Sequence, residues 1–155
     1  MTDRLWAPWR MSYVGQGGKS DGGCFFCAAW REEGREREHL LLARSAGCLV
    51  MLNRYPYASA HLMVAPSRHF GNMEEATPEE GRELWRLAVH AKTALSRTFA
   101  PQGFNIGVNQ GRAAGAGVLD HLHIHIVPRW DGDTNFMPVF ADVRVIPQAL
   151  EETWA

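Results

Sequence analysis

The chain has 155 residues, 46% of them hydrophobic and 21% charged, with a formal net charge of −1. That length supports one domain with a sizeable core, and the balanced charge excludes the broad basic field of a protein that wraps nucleic acid or is steered to membranes. Three cysteines, apolar runs too short for a membrane span, and a start (Met1-Thr2-Asp3-Arg4) that leads into no signal-peptide core argue against a disulfide scaffold and for a reducing cytoplasm.

In chain order, residues 1–23 read as an aromatic arm carrying Trp6, Pro8, Trp9 and Tyr13, followed by a Gly-rich connector. A single domain is expected over 24–155. Residues 25–33 suit a short helix, and Arg31-Glu32-Glu33-Gly34-Arg35-Glu36 suits a solvated turn. Strand-like segments follow at 38–43, 47–52 and 60–66, with Asn53-Arg54-Tyr55-Pro56-Tyr57 joining the last two. Thr77-Pro78-Glu79-Glu80 then supplies an N-cap, a proline at N1 and the glutamate of a capping box. Leu84, Leu87, Ala88, Ala91, Ala94 and Leu95 recur at helical spacing, which predicts a helix with one buried stripe to about residue 99. Further strands are expected at 103–109, 120–127 and 139–146, and Pro147 can open a short C-terminal helix. Strands in succession around one long helix predict an α+β fold: an antiparallel sheet of about five strands, one long helix and short flanking helices.

The richest chemistry lies in Asp120-His121-Leu122-His123-Ile124-His125-Ile126-Val127-Pro128. Strict alternation puts His121, His123 and His125 on one strand face, about 6.6 Å apart per step, and Leu122, Ile124 and Ile126 on the other. Such a row is a polar face, a metal centre, or a source of nucleophiles, acids and bases. Upstream, strand alternation groups Asn105, Gly107 and Asn109 on one face, and Gly111-Arg112-Ala113-Ala114-Gly115-Ala116-Gly117 forms a loop poor in side chains. That loop is a flexible connection or a place where backbone amides approach a phosphate. It enters a strand, so neither the P-loop nor the dinucleotide fingerprint fits. Cys24-Phe25-Phe26-Cys27 is a second constellation, open to zinc, to redox chemistry, or to two small buried thiols.

The segment from Gly115 to Trp130 resembles the histidine triad family of nucleotide hydrolases and transferases. The family pattern His-φ-His-φ-His-φ-φ (φ, apolar) is matched at every position of 121–127. Leu52-Asn53-Arg54-Tyr55-Pro56, His61-Leu62-Met63-Val64-Ala65-Pro66 and Asn109-Gln110-Gly111 are similar to its nucleotide-site segments. Trp130-Asp131-Gly132-Asp133-Thr134-Asn135-Phe136-Met137-Pro138 resembles the Fhit-like and bacterial diadenosine tetraphosphate phosphorylase-like branch. The resemblance spans roughly residues 24–150.

The resemblance implies a nucleotidyl-histidine enzyme acting on diadenosine polyphosphates or related nucleotidyl substrates, adenine nucleotides among them. A nucleoside phosphoramidase and a nucleotide-binding signalling module with little turnover are the alternatives. His123 is implied as the nucleophile, His125 as a hydrogen-bond donor to phosphate or leaving group, and His121 as the third triad member. Asn53 matches a ribose contact, Asn109 a phosphate contact, and the backbone of Gly115, Ala116, Gly117, Val118 and Leu119 a charge-stabilising loop. Relatives often carry Gln-Ser or Gln-Thr just before the triad; Gly117-Val118 stands here instead and removes a hydroxyl donor. Zinc-bearing members, including the galactose-1-phosphate uridylyltransferase branch, imply a structural Zn²⁺ on Cys24, Cys27, His69 and His121, and relatives imply a homodimer. No nucleic acid and no membrane are expected as partners. Cys48 is expected as a buried apolar residue, His61 and His90 as structural or exposed, and His39 as solvent-facing. Trp6, Trp9 and Trp130 are read as core or seam coverage or as base-stacking rings, and Arg129 as a surface or phosphate-contacting group.

Overall fold

A computed structural model describes residues 23–133 and 149–154. The expected aromatic arm and the expected strand at 139–146 lie outside the described residues.

Two short helices come first: α1 (Phe25–Arg31) and α2 (Glu36–His39). The strand expected from residue 38 begins only at Leu41, because Arg35 pairs with both Glu32 and Glu38 at one-turn spacing and draws 36–39 into a helix. Leu40 then turns the chain through a left-handed conformation, φ +57°. β1 (Leu41–Ser45) and β2 (Cys48–Leu52) form a hairpin whose two-residue turn uses the positive φ of Gly47. β3 (Leu62–Pro66), the long helix α3 (Pro78–Phe99), β4 (Gly103–Gly107) and β5 (Ile124–Arg129) follow, and α4 (Leu150–Trp154) closes the described chain. The sheet runs β1-β2-β3-β5-β4 with every neighbouring pair antiparallel, as the α+β expectation requires.

The triad strand starts later than its alternation predicts. Residues 120–123 lead into β5 rather than belonging to it. The registered β3–β5 pairs end at Val64↔Ile124, the β4–β5 pairs end at Gly107↔His125, and Pro66, at the end of β3, has no N–H to extend a ladder. His121 and His123 are therefore held by side-chain and carbonyl bonds instead of a ladder.

Two cores sandwich the sheet. On one face α3 packs Leu84, Leu87, Ala88, Ala91 and Leu95 against Val50, Leu52, Leu62, Val64 and Ile126. On the other, Phe26 and Ala29 of α1 are fully buried over Leu41, Leu49, Met51, Met63 and Ala65. Each fully buried large side chain contributes roughly 1.5–3 kcal/mol. β2 and β3, buried on both faces, thus form a rigid floor. α3 starts with the expected capping box: Glu80 N–H donates to Thr77 Oγ1 (3.2 Å) and Thr77 N–H to Glu80 Oε2 (2.8 Å). Arg68 grips Glu80 at 2.9 and 2.8 Å. This ion pair and the Thr77 amide hold the Glu80 carboxyl down at about 2, and the contact fixes the segment carrying His69. Among the described residues no helix is long and apolar enough to cross a membrane.

Candidate functional site

Where α1 and the loop at 117–118 stop short of covering the second sheet face, a cleft of about 490 Å³ remains open. Met51 and Met63 line it beside Asn53 and Tyr57, and His123 and His125 complete the wall. No carboxylate is among its lining residues, so the cleft favours an anion.

The hydrogen-bond partners assign each triad tautomer. His123 Nδ1–H donates to the carbonyl of His121 at 2.8 Å, leaving the lone pair on Nε2. Burial lowers the pKa of His123 and favours neutral imidazole. Behind His125 lies a relay. Tyr57 N–H donates to His61 Nδ1 (3.1 Å), so His61 carries its proton on Nε2 and donates to His125 Nδ1 (2.9 Å). His125 then carries its own proton on Nε2; the Asn109 Nδ2 lies 3.5 Å away, and turning that amide over presents Oδ1 as the acceptor. Burial first, and the charge of His123 second, push His125 down to about 4. A nucleophilic nitrogen thus stands next to a donor N–H, with ring centroids 4.7 Å apart.

His121 turns the other way and does not line the cleft. Its Nε2–H donates to the carbonyl of Pro66 (2.8 Å), and burial pushes its pKa down to about 4. Its bare Nδ1 faces Cys24 Sγ (3.1 Å), Cys27 Sγ (3.6 Å) and His69 Nδ1 (3.2 Å), and Cys27 Sγ lies 3.4 Å from His69 Nδ1. All four donor atoms lie within 4.8 Å of one another. A tetrahedral zinc with two sulfur and two nitrogen ligands needs donors roughly 3.3–3.8 Å apart. Two sulfurs and two imidazole nitrogens converging with few protons to share fit a cation better than one another. Cys24 is the N-cap of α1, and Phe26 of the same helix packs on both His121 (4.9 Å) and His123 (5.1 Å), so this cluster and the triad share one scaffold.

The loop from 108 to 120 is shaped by its own bonds. Ala114, Gly115 and Ala116 give their N–H groups to carbonyls of Gly111 and Arg112 (3.0–3.3 Å). Those amides serve the loop rather than the cleft, and Asn109, Gly115, Ala116 and Leu119 do not line it, whereas Gly117 and Val118 do. Asn53 lines the cleft, and its Oδ1 accepts the N–H of Tyr55 (2.8 Å), which fixes the side chain in its own turn.

Sequence reasoning missed three contributors. His61, expected to be structural or exposed, is fully buried and bonded to His125. Continuing the β3 alternation back from Met63, the cross-strand partner of His125, would have placed it on the triad face. His39, expected to face solvent, has a side chain only 15% exposed and lines the cleft. Gly71 is needed because a Cβ there would sit 2.7 Å from the Leu119 carbonyl oxygen. Other candidates fall away from the site. Cys48 is buried with its thiol pushed up to about 11 by desolvation. Trp130 donates to the Phe99 carbonyl, and Arg129 pairs with Asp133. His90 is exposed.

Comparisons with known proteins bear on the family and the fold. The HIT domain family matches residues 35–132. The chain is 37% identical to a protein of Mycobacterium tuberculosis named AP-4-A phosphorylase, over 97% of this chain and 80% of that protein. It is 32% identical to adenylylsulfatase HINT3 of Arabidopsis thaliana, over 71% of this chain and 54% of that one. Among solved structures, a Zn-bound histidine triad family protein from Mycobacterium smegmatis shares the fold, with a TM-score of 0.66 over 87% of this chain and 90% of its own at 24% identity.

Proposed function

The chain belongs to the HIT domain, or histidine triad, family of nucleotidyl hydrolases and transferases, and from that premise we propose that it cleaves the α–β phosphoanhydride of a diadenosine polyphosphate through His123. The observation that carries this reading is the pairing of tautomers: His123 directs a lone pair at Nε2 while His125 holds a proton at Nε2 beside it. His123 Nε2 attacks the α-phosphorus and the bond to the bridging oxygen breaks. His125 hydrogen-bonds the departing oxygen, which leaves as a nucleotide, and water or inorganic phosphate then takes the adenylyl group off His123. Gly117 and Val118, at the cleft, are the loop residues nearest to this chemistry, with Asn53 at the ribose, Asn109 beside His125, and Gly115, Ala116 and Leu119 shaping the loop.

The name of the 37% identical relative favours phosphate as the acceptor. Incubating the protein with diadenosine tetraphosphate, with and without phosphate, tests this. ADP plus ATP formed only with phosphate is expected; AMP plus ATP identifies a hydrolase, and no product from any adenylylated substrate overturns the reading. His123→Asn should abolish turnover, and wild-type rates in that variant would remove the nucleophile assignment.

A structural zinc on Cys24, Cys27, His69 and His121 is part of the proposal. When bound, it would pin the His121 backbone, whose carbonyl sets the tautomer of His123. The other parts are one domain over 24–155 preceded by the arm, a cytoplasmic location, and a homodimer. Ile106 on β4, 47% exposed at the edge of the described sheet, supports the last. Light scattering on the purified protein measures it.

A further inference from the structure

We propose that His39, held by Glu32, reads the base of the bound nucleotide and selects a 6-amino purine. The inference rests on the reading that an adenylyl group is delivered to His123, and it concerns the opposite end of the same cleft.

The sheet pairings give the direction. His125 on β5 faces Met63 on β3, Met63 faces Met51 on β2, and Met51 faces Leu41 at the start of β1. Successive strands lie about 4.8 Å apart, so this row runs roughly 14 Å from the triad to the end of α2. A nucleotide with its phosphate at His123 therefore lays its base across the two methionines. Thioether side chains adapt to any flat ring and discriminate poorly among purines. Selection has to come from a polar group at the far end, and His39 stands there on the cleft wall.

Its chemistry is set from behind. His39 Nε2 lies 3.0 Å from Glu32 Oε2, and Arg35 also pairs with that Glu32 oxygen. A carboxylate only accepts, so the proton of neutral His39 sits on Nε2 and Nδ1 offers a lone pair. Such an acceptor pairs with the exocyclic 6-amino group of adenine and opposes the 6-oxo group of hypoxanthine or guanine. Glu32 does not line the cleft and touches no ligand; it is a positioning residue. Arg54, the cationic side chain of the cleft lining, is a donor and would favour the opposite base.

AMP and IMP differ at position 6, so calorimetric titration of the wild type with each isolates the contact. About tenfold tighter binding of AMP is expected, the effect of one net hydrogen bond against an acceptor–acceptor clash. His39→Phe keeps a ring of similar size and should bring the ratio close to one by weakening AMP. Glu32→Ala, which frees the tautomer, should reduce the ratio part of the way; a thermal melt of each variant checks that it is folded. Equal binding of AMP and IMP by the wild type, a preference for IMP, or an AMP/IMP ratio unchanged in His39→Phe would each overturn the proposal. Turnover of diadenosine tetraphosphate is measured in parallel. A protein that prefers AMP but turns over no dinucleotide refutes the catalytic reading and leaves base selection standing. One that turns over the dinucleotide but binds AMP and IMP equally does the reverse.

Discussion

Replacing His61 with leucine should damage catalysis without removing any group that touches substrate. His61 is fully buried and His125 is 8% exposed, so the 2.9 Å bond between them is shielded from water at both ends. Leucine fills similar space but leaves His125 Nδ1 without its donor and the Tyr57 N–H without its acceptor. An unsatisfied buried polar group costs about 1–3 kcal/mol, so the loss at His125 Nδ1 should lower stability by about that much. In the active site, His125 becomes free to move its proton to Nδ1, which removes the donor from the leaving oxygen. A penalty of about 1–3 kcal/mol on the productive tautomer corresponds to roughly a 5- to 150-fold fall in kcat. The assay is a series of aryl esters of AMP, read by phenolate absorbance. If His125 supports the departing oxygen, the loss should grow as the phenol becomes a poorer leaving group. His61→Gln, whose amide can donate to His125 Nδ1, should recover most of the rate. A loss equal for all leaving groups, or a His61→Leu enzyme within twofold of wild type, would refute the relay.

Three other outcomes follow from the same geometry. Protein purified without a histidine tag should carry about one zinc per chain by elemental analysis, and Cys27→Ala should lose the metal and melt earlier; metal-free protein that folds and melts normally removes the site. Gly71→Ala forces a Cβ to within 2.7 Å of Leu119 O and 3.3 Å of Asp120 Cα, both backbone atoms, so denaturant unfolding should show a loss of about 1–3 kcal/mol, with kcat falling as the adjoining loop shifts; an unchanged unfolding midpoint and rate would show that the loop yields freely. His125, at about 4 folded against 6.5 unfolded, binds fewer protons in the native state between those values, so its contribution is present above pH 6.5 and lost as pH falls toward 4, by about 2–3 kcal/mol. Unfolding free energies from pH 7 to 4 should therefore fall less steeply in His125→Gln than in wild type, and parallel curves would contradict the assignment.

Elements governed by local rules were legible in the chain. The capping box at Thr77 and Glu80 and the helical recurrence of Leu84, Leu87, Ala91 and Leu95 depend on neighbours within one or two turns, and the helix stands where they place it. The strand limits were harder because they depend on partners. β5 starts at Ile124 because the pairing stops on both sides, not because its own alternation stops. Residues 36–39 became a helix through Arg35, which joins two glutamates across a turn that composition alone reads as solvent-exposed. In the site, the Cys-x-x-Cys spacing pointed to a metal or redox role, but its histidine partners, 42 and 94 to 97 positions away, entered only through resemblance. His39 carried no motif of its own, and His61 opened a segment similar to the family's nucleotide site without a role attached to it. Their position became visible only once the cross-strand row through Met51 and Met63 was known.

That row also explains how one repeated residue yields different chemistries. Alternation spaces the three imidazoles along the chain, and only His123 and His125 turn to the cleft. The reactive state of each is decided by what its other nitrogen meets. At His121 the Pro66 carbonyl takes the Nε2 proton, and the bare Nδ1 is left facing the two thiols, as the proposed zinc site requires. At His123 the backbone two residues earlier takes the Nδ1 proton, and Nε2 keeps the lone pair that the proposed attack on phosphorus requires. At His125 a donor, His61, occupies Nδ1, and Nε2 is forced to keep its proton. The three partners are a strand-end proline, a carbonyl in the lead-in segment, and a histidine at the entrance to β3. An exchange of positions within the triad would therefore not exchange roles, because each role belongs to the surrounding acceptor or donor. Because the carbonyl that sets His123 belongs to His121, any group that fixes His121 also fixes the tautomer of the nucleophile. The cysteine cluster, which lies outside the chemistry, is thus coupled to it through a single backbone oxygen.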